Sequence, residues 1–330
     1  MPSFQSGFEK RERVKAAING DSVDRPPVSF WHHCHCKGSA SLLAQFTVDF
    51  FVTRFDLDII KIMPDIRYPL PRQSVSTLED WRLVERWTAE SEFTAAYVSA
   101  IRQIRAVVGH EYPLVVTLHS PLTMAQLLAP RPDATALWSS ETLLQHLETA
   151  PDLVHGALAN LASNLRQHAA ACIAAGADGI YLSMIGCDET VAPSIYREVG
   201  RPYDLMVFQG AGNGWLNIAH IHGEHQLRTE EAYGYPISAL SWSDRSTGPD
   251  MTSVRAATDM CLMGGWHEHS PRLAEQAGSH ADTTSFWVDD ARAAIDQAGG
   301  RGLILAPGCS VPDNACRKVL ADLRRSVDHL

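Results

Sequence analysis

A chain of 330 residues, 45% hydrophobic and 20% charged, can build a large core and is longer than most single-core architectures need, a barrel of strands and helices being the common exception. Its 28 Lys and Arg against 38 Asp and Glu give a formal net charge of -10, which repels phosphate backbones and anionic lipid surfaces and argues against a nucleic-acid partner. No apolar run reaches the roughly 18 residues a membrane span needs, Met1-Pro2-Ser3-Phe4-Gln5 lacks a basic stretch followed by an apolar one, and the cysteine count of 7 is odd and irregularly spaced; we therefore expect a soluble, cytoplasmic protein with reduced thiols.

The recurrent pattern is a short β-rich run followed by a longer helical stretch. Val28–Trp31 predicts a first strand, followed by His32-His33-Cys34-His35-Cys36 and a helix over Ser41–Phe55. Asp58–Met63 predicts a second strand; the long, proline-bearing segment Pro64–Trp87 carries Asp65 and Tyr68 and leads to a helix over Thr94–Val108. The third, Leu114–Leu118, ends at His119 and Ser120 and opens a second long segment, Ser120–Pro151, before a helix over Asp152–Ala175. Gly179–Met184 predicts the fourth. The glycine-rich Gly210-Ala211-Gly212-Asn213-Gly214 precedes a strand rather than linking a strand to a helix, so it is given no phosphate role. Asn217–His222 and Ile237–Trp242 predict the fifth and sixth strands, with a helix over Met251–Met263 after them. Gly264–His267, a helix over Thr284–Gln297, and Gly302–Ala306 complete the series, with Cys309 just beyond.

Alternating β and α elements imply parallel strands. Eight of them, with no dinucleotide fingerprint after the first and no linker or repeat, predict an α/β (β/α)8 TIM barrel as one domain over residues 1–330, with insertions after strands two and three.

In such barrels chemistry gathers at the strand C-terminal ends. His220 and His222 are two apart, so on a strand both leave the same face, and with the Cys309 thiol they make a donor set suited to Zn²⁺ with a fourth position open. The alternative is a pair of hydrogen-bonded interior histidines with Cys309 as a small filler; two inward imidazoles without partners would be costly, which favours the metal. Asp65 and Asp244 are candidate catalytic acid–base groups or orienters of a ligand histidine, against loop capping or, for Asp244, an ion pair with Arg245. At most two or three of the five side chains from His32 to Cys36 can converge on one point. We assign His32, His33, Cys34 and His35 to a substrate pocket with Tyr68, His119, Trp242 and His267, and leave open whether that run joins the metal site.

The residues at the two ends resemble a known family. Arg11-Glu12-Arg13-Val14-Lys15-Ala16-Ala17-Ile18-Asn19-Gly20 with Val23-Asp24-Arg25-Pro26-Pro27-Val28 looks like the N-terminal signature of the uroporphyrinogen decarboxylase superfamily. Gly299-Gly300-Arg301-Gly302-Leu303-Ile304-Leu305-Ala306-Pro307-Gly308-Cys309, then Val311-Pro312, is similar to its last strand in the version found in zinc-dependent corrinoid:thiol methyltransferases. The resemblance implies the same barrel. Decarboxylases of the superfamily carry, after strand one, an Arg-Gln-Ala-Gly-Arg-Tyr type motif whose arginines hold tetrapyrrole carboxylates; here that place reads His32 to Gly38 without an arginine, which argues against uroporphyrinogen itself.

The methyltransferase branch has His-x-Cys on strand five and Cys after strand eight, and His220-Ile221-His222 with Cys309 looks like this pair with one cysteine replaced by histidine. That exchange raises the net charge of the site by one. The resemblance thus implies zinc on His220, His222 and Cys309 and a transferase that activates a thiol toward a methyl or alkyl carbon, the donor being a corrinoid protein or another methyl donor. It permits a monomer or a homodimer. The alternative is a decarboxylase-like lyase acting on a small carboxylated substrate, with Asp65 or a pocket histidine protonating the carbanion. A metal-activated water acting hydrolytically is a third reading, and a non-enzymatic metal carrier a fourth.

Overall fold

A computed structural model describes residues 9–36, 38–71, 74–88, 91–129, 141–274 and 283–330. Seven strands form one parallel sheet in sequence order: β1 (Ile60–Ile62), β2 (Leu114–His119), β3 (Gly179–Met184), β4 (Ile218–Ile221), β5 (Ala239–Trp242), β6 (Cys261–Trp266) and β7 (Leu303–Pro307). They are buried almost throughout, as expected of parallel strands covered on their faces. This is an α/β fold of TIM-like type, a curled parallel sheet with helices packed outside it.

The expected first strand, Val28–Trp31, is not a strand but an extended segment with a single bridge, Val28 to Leu305. Ser29 N–H donates to Leu305 O at 3.0 Å and Leu305 N–H to Pro27 O at 2.8 Å, while Asp58 N–H donates to Val28 O at 2.9 Å. The segment therefore touches the β7 edge and the chain entering β1. Pro26 and Pro27 lack N–H donors, so a ladder cannot run further back along it.

A second difference lies at β6. The expected helix Met251–Met263 ends at Ala257, and Cys261–Met263 belongs to the strand, which begins three residues before the expected Gly264. Cys261, Leu262 and Met263 are an apolar run that fits a buried strand as well as a helix, and burial against β5 and β7 decides it. The helix expected over Ser41–Phe55 is α-helical only over Ala40–Thr47 and continues as a π-helix over Val48–Arg54. Helices Glu92–Val108, Pro151–Ala174 and Thr284–Gln297 lie where the periodicity puts them. Of the two long segments, Pro64–Trp87 holds a 3-10 helix over Leu78–Leu83 and Ser120–Pro151 holds helices Pro121–Leu128 and Glu141–Thr149; residues 72–73 and 130–140 of these segments lie outside the described residues.

At the end where the strands begin, buried charges are fully engaged. Asp58 accepts from Arg13 Nη1 at 2.7 Å, Arg25 Nη1 at 2.6 Å and Val28 N at 2.9 Å, pinning the helix Lys10–Asn19 to the entry of β1. Burial alone would push the Asp58 carboxyl up, but Arg25, Lys10 and Arg13 hold it below the usual carboxylate range. Asp178, at the entry of β3, accepts from Arg11, Arg105, Trp215 Nε1 and Leu114 N.

Candidate metal centre

The parallel register sets three inward side chains side by side: His220 on β4 lies opposite Ser183 on β3 and Ser241 on β5. Alternation then turns Ile221 and Trp242 outward. His222 follows one residue after β4, and Cys309 two residues after β7. His220 Nε2 lies 3.3 Å from His222 Nδ1, and Cys309 Sγ 3.8 Å from the same nitrogen. One donor atom from each of the three lies within 4.8 Å of the others, and no other such His, Cys or carboxylate group occurs among the described residues.

The surroundings suit the donor set to a cation. Ser241 Oγ lies 3.2 Å from His220 Nδ1 and 3.1 Å from the Tyr181 hydroxyl, so the outer ring nitrogen is engaged and Nε2 is left facing His222 and Cys309. Burial would raise the Cys309 thiol, but hydrogen bonds from His220 and His222 outweigh it and hold the thiol well below its ordinary value, as thiolate. Burial likewise depresses His220, whereas His222 is raised by the Cys309 thiolate against the burial effect. Two imidazoles and a thiolate that supply three donors and leave room for a fourth are what a catalytic zinc site requires.

A cavity of about 240 Å³ opens beside these donors, lined among others by Trp31, Lys61, Thr117, His119, Tyr181 and Ser183. It is contiguous with an outer cavity of about 770 Å³ through His33, Pro64, His119 and Leu127, which line both. His119 is half-buried, and its desolvation, reinforced by His222 and Lys61, lowers it to about 4, so its imidazole is neutral.

The other expected site residues divide cleanly. His33 faces both cavities, with Nδ1 2.7 Å from Asp65 Oδ1; its partner keeps it above the usual imidazole value and Asp65, despite burial, below the carboxylate range. Asp65, Tyr68 and His35 line the outer cavity. Asp65 also accepts from Cys34 N at 2.9 Å, Tyr68 accepts from Asn164 Nδ2 at 3.0 Å and stacks on Trp87, and His35 Nε2 lies 2.8 Å from Asp313.

Five expected residues do not line either cavity. His32 packs edge-on against Phe46 and Phe50, with Nδ1 turned to the His33 carbonyl. Cys34 offers its backbone N–H to Asp65, and burial pushes its thiol up. Trp242 is fully buried and its indole donates to Pro249 O at 2.8 Å, because strand parity gives the inward place to Ser241. Asp244 accepts from Gly265 N at 3.0 Å and pairs with Arg245 at 3.2 Å, clamping the β5 exit to β6; burial raises it to about 6. His267 accepts from His269 N at 3.0 Å.

Several residues lining the inner cavity, Lys61 above all, were not among the candidates read from the sequence. Lys61, in the middle of β1, is 3% exposed, with Nζ 4.2 Å from the Tyr181 ring centroid and 4.4 Å from that of Trp31. Burial lowers it to about 7 against the raising fields of Cys309 and Asp65. Its signal was present: a lone cation between Ile60 and Ile62 in a strand otherwise apolar.

A family model described as uroporphyrinogen decarboxylase (URO-D) matches residues 57–329, a span that leaves out the Arg11–Val28 signature. No curated protein matches the chain in sequence. Among solved structures, a methyltransferase from Methanosarcina mazei superposes with a TM-score of 0.72 at 17% identity, covering 98% of this chain and 99% of that one. A B12-independent methionine synthase from Shewanella sp. W3-18-1, in complex with selenomethionine, superposes with a TM-score of 0.57 at 13% identity over 89% of this chain and 87% of that one. At such identities these likenesses speak to the fold.

Proposed function

The chain belongs to the uroporphyrinogen decarboxylase (URO-D) family, and within it we propose that this protein is a zinc-dependent methyl or alkyl transferase that activates a thiol at the mouth of a (β/α)8 barrel. The reading takes the extended segment at Val28 as an eighth stave between β7 and β1, and residues 1–330 as one cytoplasmic domain. The observation that carries it is the convergence of His220, His222 and Cys309 beside a cavity of small-molecule size.

His220 Nε2, His222 Nδ1 and the Cys309 thiolate would hold the zinc. When bound, zinc supplies Lewis acidity that lowers the pKa of a thiol and keeps it nucleophilic at neutral pH. The chain's own residues do the rest. Ser241 holds the His220 ring in place, and the buried walls formed by Trp31 and Tyr181 keep water from competing with the thiol. The neutral His119 puts no second positive charge beside the donors. His33, oriented by Asp65 at the junction of the two cavities, is placed to shuttle a proton to or from the outer cavity. The outer cavity gives the methyl donor, a corrinoid protein or another donor, a way to the thiol. Solved folds of this shape include a methyltransferase and a methionine synthase by name.

Protein purified under reducing, chelator-free conditions should hold about one zinc per chain, lost in both Cys309→Ala and His222→Ala. Addition of a small thiol should add a sulfur to the zinc coordination seen by X-ray absorption. Wild-type protein without stoichiometric zinc would overturn the reading.

The second reading, a lyase acting on a small carboxylated substrate, draws on the His33–Asp65 pair at 2.7 Å, a proton donor facing the cavities. It requires that zinc-free protein release carbon dioxide from small carboxylic acids and that His33→Ala stop it.

A further inference from the structure

Lys61 is one of five lysines in the chain, and thiol transfer gives it no task. It lines the inner cavity from mid-strand on β1, in register with Val115 on β2; Thr117, two residues further along β2, lies on the same face, one layer nearer the strand exits. The Lys61 nitrogen has no carboxylate within 4.0 Å among the described residues, and its one hydrogen-bond acceptor there is the Met63 thioether sulfur at 3.6 Å. Lys10, the other buried lysine, reaches Asp56 at 2.9 Å. The Thr117 hydroxyl is buried and without a hydrogen-bond partner among the described residues. An ammonium is compact and strongly hydrated, so withdrawing it from water without an anion is costly, whereas a neutral amine loses little. Burial accordingly lowers Lys61 to about 7. A desolvated amine facing a cavity is a nucleophile suited to carbonyl carbon.

The two rings beside it decide what the amine can become. Nζ faces both the Tyr181 and the Trp31 ring, and aromatic faces attract cations and repel anions. Acylation would leave a neutral amide there, and carbon dioxide a carbamate anion. Condensation with an aldehyde or ketone keeps a positive charge on the nitrogen and spreads it over the C=N bond, a larger and less hydrated cation that ring faces suit better than an ammonium. The Thr117 hydroxyl offers what the same reaction needs, an uncommitted donor for the carbonyl oxygen on the mouth side of the nitrogen. A cavity of about 240 Å³ limits the carbonyl compound to a few carbons.

We propose that Lys61 forms a covalent imine with a small aldehyde or ketone in the inner cavity, and that the Thr117 hydroxyl binds the carbonyl oxygen. The nitrogen lone pair attacks the carbonyl carbon as the C=O π bond opens, and one N–H proton passes to the oxygen, giving a carbinolamine. The C–O bond then breaks, the oxygen leaves as water with a proton relayed by His33, and the protonated imine stays on Nζ. That imine draws electrons from the adjoining carbon, so the activity it opens is proton loss or carbon–carbon bond exchange beside the former carbonyl. This goes beyond the transferase reading and does not rest on it.

The test is reductive trapping. Full-length protein, zinc-loaded and zinc-free, is incubated at neutral pH with propanal or butanone and sodium cyanoborohydride, which delivers hydride to the imine carbon and fixes it as a secondary amine; peptide mapping by mass spectrometry then locates the adduct. The variants are Lys61→Met, which keeps length and apolar contact without the amine, and Thr117→Val; circular dichroism and a thermal melt verify that both fold. In wild type the adduct on Lys61 should form at least about 10-fold faster than on the other four lysines, because an amine near 7 is largely neutral where one near 10.4 is not. Thr117→Val should slow it about 5- to 10-fold, as for loss of one neutral hydrogen bond, and Lys61→Met should lose the fast adduct altogether. Trapping on Lys61 no faster than on the other lysines of folded wild type, or a fast adduct that persists in Lys61→Met, overturns the imine. Unchanged trapping in Thr117→Val overturns the part given to that hydroxyl. If purified protein holds no zinc while Lys61 still traps the probe first, the imine stands and the transferase reading fails.

Discussion

The two ends of the sheet treat buried charge in opposite ways. Where the strands begin, Asp58 and Asp178 are each surrounded by cations and N–H donors, so the charges that tie the N-terminal helix and the β-strand entries together are fully compensated. Toward the other end, Lys61 and Thr117 keep unmet hydrogen-bonding capacity beside a cavity, and three side chains of metal-binding type converge near the strand exits. Compensation at the first end is worth stability; a buried ammonium without a carboxylate partner at the second costs it.

The sharpest way to break this contrast is Asp58→Ala. It removes the buried carboxylate that Arg13 and Arg25 share, leaving them Asp24 and Asp328, and urea unfolding should show a loss of about 3–5 kcal/mol, as for removal of one partner from a buried ion pair. A loss below about 1 kcal/mol, the range of exposed pairs, would show that water already compensates these charges. The same group sets an acid limit. Its folded pKa is depressed, so its stabilisation is present above the unfolded carboxylate value near 3.9 and disappears as pH falls through the lower folded value. Wild type should therefore lose its advantage over Asp58→Ala only below about pH 4.

At the other end, Ser241→Ala removes the hydrogen bond to His220 Nδ1 while leaving every ligand in place. Zinc affinity measured by chelator competition should fall about 10- to 100-fold; an unchanged affinity would mean that packing against Tyr181 alone orients the ring. The smallest effect should also have the opposite sign to Asp58→Ala. In zinc-free protein Lys61→Met should be as stable as wild type or more so, by up to roughly 1 kcal/mol at pH 6, because it relieves an unpaired buried ammonium. With the folded value near 7 and the unfolded one near 10.4, the unfolded chain binds more protons between those limits, so wild-type stability rises relative to Lys61→Met across that window. A gap that widens with pH would contradict the assigned burial.

Much of the fold was legible because parallel strands announce themselves as short apolar runs: Gly179–Met184 matches β3 from end to end. The limits of that signal show at Cys261–Met263, where an apolar run carries no period, and at Val28, where two prolines withhold the donors a ladder needs. In the site, ligand chemistry singled out His220, His222 and Cys309 and strand parity put the two histidines on one face, and donor atoms of all three lie within 4.8 Å of one another. Trp242 was misplaced by taking the last residue of a strand in place of its inward neighbour Ser241. Lys61 was not legible from the strand exits, because it stands in mid-strand and lines the cavity a layer below them. His32 illustrates the remaining difficulty: nothing local distinguishes it from His33, and only the packing of Phe46 and Phe50 takes it out of the cavity wall.

The Tyr181 ring, which contacts both the Lys61 ammonium and the His220 imidazole, makes the two halves of the site a linked system. A cation arriving at His220 and the ammonium would repel one another, so loss of the Lys61 proton would tighten the cation, and the cation would by the same free energy favour the neutral amine. Cooperativity of this kind needs no moving part. It follows from setting the Lys61 ammonium and the His220 imidazole against one aromatic ring.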